Sequence, residues 1–383
     1  MIDTSSDIAA QLLERNAIFE RFFGREAGRL ALNCREMSER FQRGGRLLAF
    51  GRGSYATDAQ HVSVEFVHPI IVGKRALPAL DLSIAFRPWM ETILRPEDIV
   101  MGFAPPEGDP EITAALRQAR ERGAMTLDLP GPEIPHPFIH QELIEILYHT
   151  LWETVHVFFE HRELGRDAGE ASFLYPFLGG ERQDTRDVLD EVAASIRMKA
   201  QDDARLRKQL ADEQSDRIAK TAHGIHGRLR RGGKLIVFGN GGSATDANDL
   251  AIDCVLPPRG YRPIPAISLA MEPANLTAIA NDVGVDVIFL RQMIAQARPE
   301  DVAIGISTSG GSRNIIMALE EARKRGLLTV AFAGYDGGEI VRRGLADFAI
   351  VVRCDYIPRI QEVQASAYHV LREQLEGLAR ADA

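Results

Sequence analysis

The chain's 383 residues allow two or three domains at about 150 residues each, every one large enough to bury its own core. Its 45 Lys and Arg against 54 Asp and Glu leave a formal charge of −9, which argues against nucleic acid or an anionic bilayer as a partner, and 45% hydrophobic with 26% charged residues excludes disorder or fibre. Cys34, Cys254 and Cys354 are scattered and odd in number, so no disulfide framework or cysteine zinc site is expected, and the acidic start without an apolar signal-peptide core reads as cytoplasmic with no membrane span.

In chain order, an amphipathic helical stretch from Asp7 to Gln42 comes first. GGRLLAFGRGSYATDAQHVSVEF, from Gly44 to Phe66, then reads as strand, glycine-rich turn and helix. DIVMGFAPPEGDPEITAALRQARERGAMTL, from Asp98, repeats that alternation, and a helical stretch from Gln141 to Phe159 closes the series. The Pro- and Gly-bearing segment Phe173 to Asp184 marks a boundary, which predicts domains at 1–172 and 186–383 joined by a linker at 173–185.

The second half repeats the first. A helical stretch from Asp187 to Arg230 leads into GGKLIVFGNGGSATDANDLAIDC, from Gly232 to Cys254, which aligns without gaps on Gly44 to Phe66. DVAIGISTSGGSRNIIMALEEARKRGLLTV from Asp301 aligns on the Asp98 block, and QEVQASAYHVLRE from Gln361 aligns on QELIEILYHTLWE from Gln141, within a closing helix that runs to Leu378. Short apolar runs such as Lys234 to Phe238, Asp301 to Ile306 and Leu328 to Phe332 alternate with helical patterns such as Asn314 to Arg325. That pattern predicts an α/β fold in which each half is a doubly wound parallel sheet with helices on both faces, Rossmann-like or flavodoxin-like in its three layers.

Two loops of the second half suit an anion. Asn240-Gly241-Gly242-Ser243 follows one strand and Ser307-Thr308-Ser309-Gly310-Gly311-Ser312 the next, each opening a helix whose N-terminal N–H groups and dipole favour negative charge. Either loop alone is an ordinary βα turn with a Ser cap; two on consecutive crossover units can clamp one phosphate.

NGGSATDA, GISTSGGS and RIQEVQASAYH resemble the sugar isomerase (SIS) domain, specifically the phosphoheptose isomerases, over roughly Asp187 to Leu378. The resemblance implies a sugar-phosphate ligand held by Asn240, Gly241, Gly242, Ser243, Ser307, Thr308, Ser309 and Ser312, with Asn281, Asp282 and Gln361 touching the sugar. It also implies a His and a Glu on the helix after the first loop, with Gln and His on the closing helix, the Glu acting as general base, the closing-helix His as acid, and all four binding zinc in some members. The second half keeps Gln361 and His369 but has Asp249 and Asp253 for the His and Glu, and Pro358 where a family Asp stands. A carboxylate shortened by one C–C bond is a weakened base, since misplacement by ~1 Å can cost on the order of 10²-fold in rate.

The first half holds the missing set, His61, Glu65, Gln141 and His149, while its loops, Arg52-Gly53-Ser54-Tyr55 and Ala104 to Asp109, have lost the hydroxyls and gained Glu107 and Asp109, which repel a dianion. The expectation is therefore a composite site, with phosphosugar bound by the second domain and catalysis supplied by the first. Its GRGSYATDA resembles the Gly-Arg-Gly loop of the glucosamine-6-phosphate synthases, tandem SIS enzymes that divide phosphate binding and acid/base chemistry in this way. Glu65 is the expected base, His369 or His149 the acid, and His61, Glu65, Gln141 and His149 the ligands of a divalent metal, zinc. The reaction implied is aldose–ketose isomerisation of sedoheptulose 7-phosphate, in a homodimer of four SIS domains. The alternative is a non-catalytic phosphosugar-binding regulator or scaffold, which Asp249, Asp253 and Pro358 favour. His223 and His226 read as an exposed helix face, Arg228, Arg230, Arg231 and Lys234 as a basic helix end, and His136 and His140 as solvent-facing.

Overall fold

In the computed structural model the described residues are 4–69, 74–127, 134–164 and 185–382. The first half runs α1 (Thr4–Gln42), β1 (Leu47–Gly51), α2 (Tyr55–Val67), β2 (Ala79–Asp81), α3 (Phe86–Ile93), β3 (Ile99–Phe103), α4 (Pro110–Glu121), β4 (Met125–Leu127) and α5 (Pro137–Leu164). The second runs α6 (Thr185–Leu229), β5 (Leu235–Gly239), α7 (Gly242–Val255), β6 (Ala266–Ser268), α8 (Pro273–Asp282), α9 (Ile288–Gln296), β7 (Val302–Ser307), α10 (Arg313–Lys324), β8 (Leu328–Gly334), α11 (Gly338–Arg342), β9 (Phe348–Val352) and α12 (Ile357–Ala381). Among the described residues no helix is long and apolar enough to cross a membrane.

The strands form two parallel sheets, in the orders β2-β1-β3-β4 and β6-β5-β7-β8-β9. Their registers repeat: Leu47 pairs with Ile99 as Leu235 pairs with Val302. Side chains alternate between faces with period two, so each strand feeds two cores. In the first sheet Leu47, Ala49, Ile99 and Met101 join the cluster under α1, α2 and α5, while Leu48, Phe50 and Val100 pack with Phe86, Met90 and Ile112 of α3 and α4. Leu235, Val237, Val302 and Ile304 of the second sheet likewise face α6, α7 and α12, with Ile236, Phe238 and Ala303 turned to Phe289, Ile315 and Leu319. Buried on both faces, these strands read in sequence as continuous apolar runs.

The chain divides into two compact units, and the division is not the one expected at 1–172 and 186–383. One unit is Asn16–Ala204 and the other Met1–Arg15 with Arg205–Ala383. Burial is the reason: Ile8 and Leu12 of α1 sit in the core cluster of the second half with Leu206, Leu210 and Ile218, whereas Val188, Val192 and Ile196 of α6 belong to the core of the first with Phe19 and Phe23. The expected linker at 173–185 lies outside the described residues, apart from Thr185 at the start of α6.

Candidate functional site

In the second half the loops after β5 and β7 leave the carboxyl edge of one sheet side by side, since β5 and β7 are paired. A Cβ on Gly239 would lie 2.1 Å from the carbonyl oxygen of Ser243, so the strand must end in glycine for α7 to begin this close to it. Gly241 takes φ +57° at the turn, and Ser243 is buried in the first turn of α7. The loops are tied together by reciprocal 2.9 Å bonds in which the Asn240 and Asn314 amides each donate to the other. Ser307 Oγ donates to Ser312 Oγ at 3.3 Å, and Ser309 Oγ accepts from the Gly311 N–H at 3.2 Å. Ser312 holds the N-cap position of α10 but makes no side-chain capping bond, leaving the first N–H groups of that helix for another acceptor. Gly310, at φ +61°, backs the loop against Gly337, whose carbonyl oxygen a Cβ would approach to 2.2 Å. Asn281 and Asp282 lie exposed at the end of α8, bonded to each other at 2.8 Å.

The corresponding loops of the first half are filled by side chains. Tyr55, in the register of Ser243, is buried, with its hydroxyl 3.4 Å from His140 Nδ1. His140 is accordingly buried on α5, not solvent-facing as expected. Arg52 and Glu111 stand in the registers of Asn240 and Asn314, and an ion pair at 3.3 Å takes over the amide bridge. Asp109, in the register of Ser312, accepts from the N–H groups of Glu111 and Ile112 at 2.8 and 3.2 Å. It therefore does more than repel an anion: its carboxylate occupies the N-terminal anion seat of α4. His226, read as a plain exposed face, pairs with Asp382 at 2.8 Å.

Deeper in each half the helix after the first loop meets the closing helix. On α2, His61 and Glu65 share one face at i, i+4, with His61 Nε2 3.8 Å from Glu65 Oε1. The His149 ring on α5 is 5.1 Å from that of His61, and Gln141 is buried two turns earlier on the same helix. Between them Glu145, which the sequence reading passed over, brings a carboxylate oxygen to within 4.8 Å of a ring nitrogen of each histidine, all three buried. Ligand atoms bonded to zinc at about 2.1 Å lie about 3.4 Å apart in a tetrahedron, so His61, Glu145 and His149 fit a divalent ion with small side-chain adjustments. The signal for Glu145 was its i, i+4 spacing from both Gln141 and His149. In the second half the same position is Ala365.

The second cluster meets the same spacing, with ligand atoms of Asp249, Asp253 and His369 all within 4.8 Å of one another and all three residues buried. His369 Nε2 lies 3.2 Å from Asp253 Oδ2 and 3.4 Å from Asp249 Oδ2, and the Tyr368 hydroxyl donates to that same Asp249 oxygen at 3.0 Å. Asp253 thus reaches the closing-helix histidine despite its shorter stem. Burial pushes the neighbouring Cys254 thiol up to about 12, with Arg372 opposing, which removes it as a nucleophile.

The SIS domain family matches residues 200–334. The phosphoheptose isomerase of Thermodesulfovibrio yellowstonii is 41% identical over 189 residues, 49% of this chain and 93% of that one. That of Chlorobaculum tepidum is 45% identical over 177 residues, 45% and 84% of the two chains. Among solved structures, the C-terminal domain of glucosamine-fructose-6-phosphate aminotransferase from Francisella tularensis covers 96% of this chain and 95% of its own with a TM-score of 0.59, a likeness of fold alone at 8% identity. On these matches, and on loops and helices that stand in the order described, the chain belongs to the phosphoheptose isomerase family of SIS-domain proteins.

Proposed function

We propose that the protein is an aldose–ketose isomerase of a sugar phosphate, with sedoheptulose 7-phosphate as substrate. The observation that carries this reading is the loop pair of the second half, joined through Asn240 and Asn314 and offering Ser243, Ser307, Ser309 and Ser312 around two helix N-termini. The relatives named for phosphoheptose isomerisation support the substrate. Asn281, Asp282 and Gln361 are assigned to the sugar.

Isomerisation moves a proton between neighbouring carbons, and a carboxylate beside an imidazole is suited to take it. Glu65 is assigned as base and His149 or His369 as acid. His61, Glu65, Gln141 and His149 are assigned to hold zinc or another divalent ion, and a bound ion would supply a Lewis acid for the enediolate oxygen. Only the second half keeps open anion-binding loops, so phosphosugar binding and proton transfer are assigned to different halves of one chain, and two chains to a dimer of four SIS domains.

A second reading, phosphosugar sensing without catalysis, is favoured by Asp249, Asp253 and Pro358, which stand where the resemblance calls for His, Glu and Asp. Incubation with sedoheptulose 7-phosphate separates the two. Appearance of an aldose 7-phosphate supports the isomerase, whereas tight binding with no turnover supports the sensor.

A further inference from the structure

Resting on the presence of a metal at this site but revising the ligand set just assigned, we propose that Glu145 rather than Glu65 is the anionic ligand of that metal, with Glu65 acting as the base. A group that both coordinates the ion and accepts the proton is a poor base, because coordination withdraws the lone pair that must take the proton. The two carboxylates divide that labour. Glu145 shares one ligand-atom triangle with His61 and His149, all within 4.8 Å, and Glu65 is outside the triangle although its Oε1 is 3.8 Å from His61 Nε2. One carboxylate thus faces both imidazoles, and the other flanks them.

The repeat supplies an internal comparison. Gln141, Glu145 and His149 align with Gln361, Ala365 and His369, so the one half that has both histidines also has the extra carboxylate, one turn before His149 on α5. Where the residue is alanine, the closing-helix histidine sits against two aspartates and one of these also takes a tyrosine hydroxyl. A His-His-Glu set is a common ligand set for catalytic zinc, with a fourth position left to water or substrate.

The test titrates the chelator-stripped full chain with Co²⁺, following both affinity and the visible absorption that reports coordination. The wild type is expected to bind one Co²⁺ per chain. The near-isosteric Glu145→Gln is expected to weaken binding by about 10³-fold or more and change the spectrum, while Glu65→Gln weakens it by no more than the roughly 10- to 100-fold of an outer-shell change and leaves the spectrum as it is. Glu145→His, which restores a donor, recovers most of the affinity. Unchanged Co²⁺ affinity and spectrum in Glu145→Gln, or loss of the metal in Glu65→Gln instead, overturns the assignment, as does a wild type that binds no Co²⁺. Isomerase activity is read separately: a chain inactive on sugar phosphates that still needs Glu145 for Co²⁺ overturns the parent reading and supports this one.

Discussion

Glu65 and Asp253 occupy one register on α2 and α7 in different surroundings. Glu65 flanks an imidazole at 3.8 Å, while Asp253 is bonded to His369 at 3.2 Å in a cluster that also engages Asp249 and Tyr368. Glu65→Gln is expected to lower kcat by about 10²- to 10⁴-fold, the usual weight of a general base, with phosphosugar affinity unchanged. Asp253→Asn is expected to cost less than about tenfold, because it removes a carboxylate already committed to the fold. Turnover and calorimetry on both variants check this, and the reverse order of damage would put catalysis in the second half alone. In the loops, Ser309→Ala with Ser312→Ala removes two donors to a charged group worth about 1.5–3 kcal/mol each. Calorimetric affinity for sedoheptulose 7-phosphate should fall at least 10²-fold, and affinity within tenfold of wild type would place the phosphate elsewhere.

Element by element, α4 and α10 begin on matching loops and differ in what their first N–H groups meet. Asp109 caps α4 with its own carboxylate, and Ser312 leaves α10 uncapped by its side chain. A helix that already holds an anion has no room for a second, and the Tyr55 ring is buried in the register of Ser243. Titration is therefore expected to give one phosphosugar per chain, and two would contradict the division between halves. Asp109→Ala should lower the unfolding free energy by about 1 kcal/mol, the cost of a lost N-cap, without raising that stoichiometry. Denaturant melts measure the first effect and calorimetry the second. Much of this architecture was legible in sequence, since the βα alternation, the loops and the i, i+4 faces are local patterns. The Tyr55–His140 contact and the Arg52–Glu111 bridge were not, because residues 85 and 59 positions apart meet only after the sheet has formed. Glu145 lay in a visible spacing but had no counterpart in the second repeat to draw attention to it.

At the scale of the whole molecule, α8 has no fully buried residue, Leu276, Ile279 and Ala280 packing against the core only in part, and Met271, Val283 and Val285 around it are 40%, 59% and 61% exposed. Apolar exposure of this kind marks association surfaces, and light scattering is expected to give about twice the 42.3 kDa chain mass, a monomer at micromolar concentration being the contrary result. The sequence offered no way to see that Met1–Arg15 folds with Arg205–Ala383, because the amphipathic pattern of α1 runs unbroken through Arg15. That partition bears on how the chain can be cut. A gene cut at the midpoint yields a back half without Ile8 and Leu12, its core opened on one side, and with Val188, Val192 and Ile196 stranded as a greasy tail. Neither half can be deleted without the survivor losing part of its own interior.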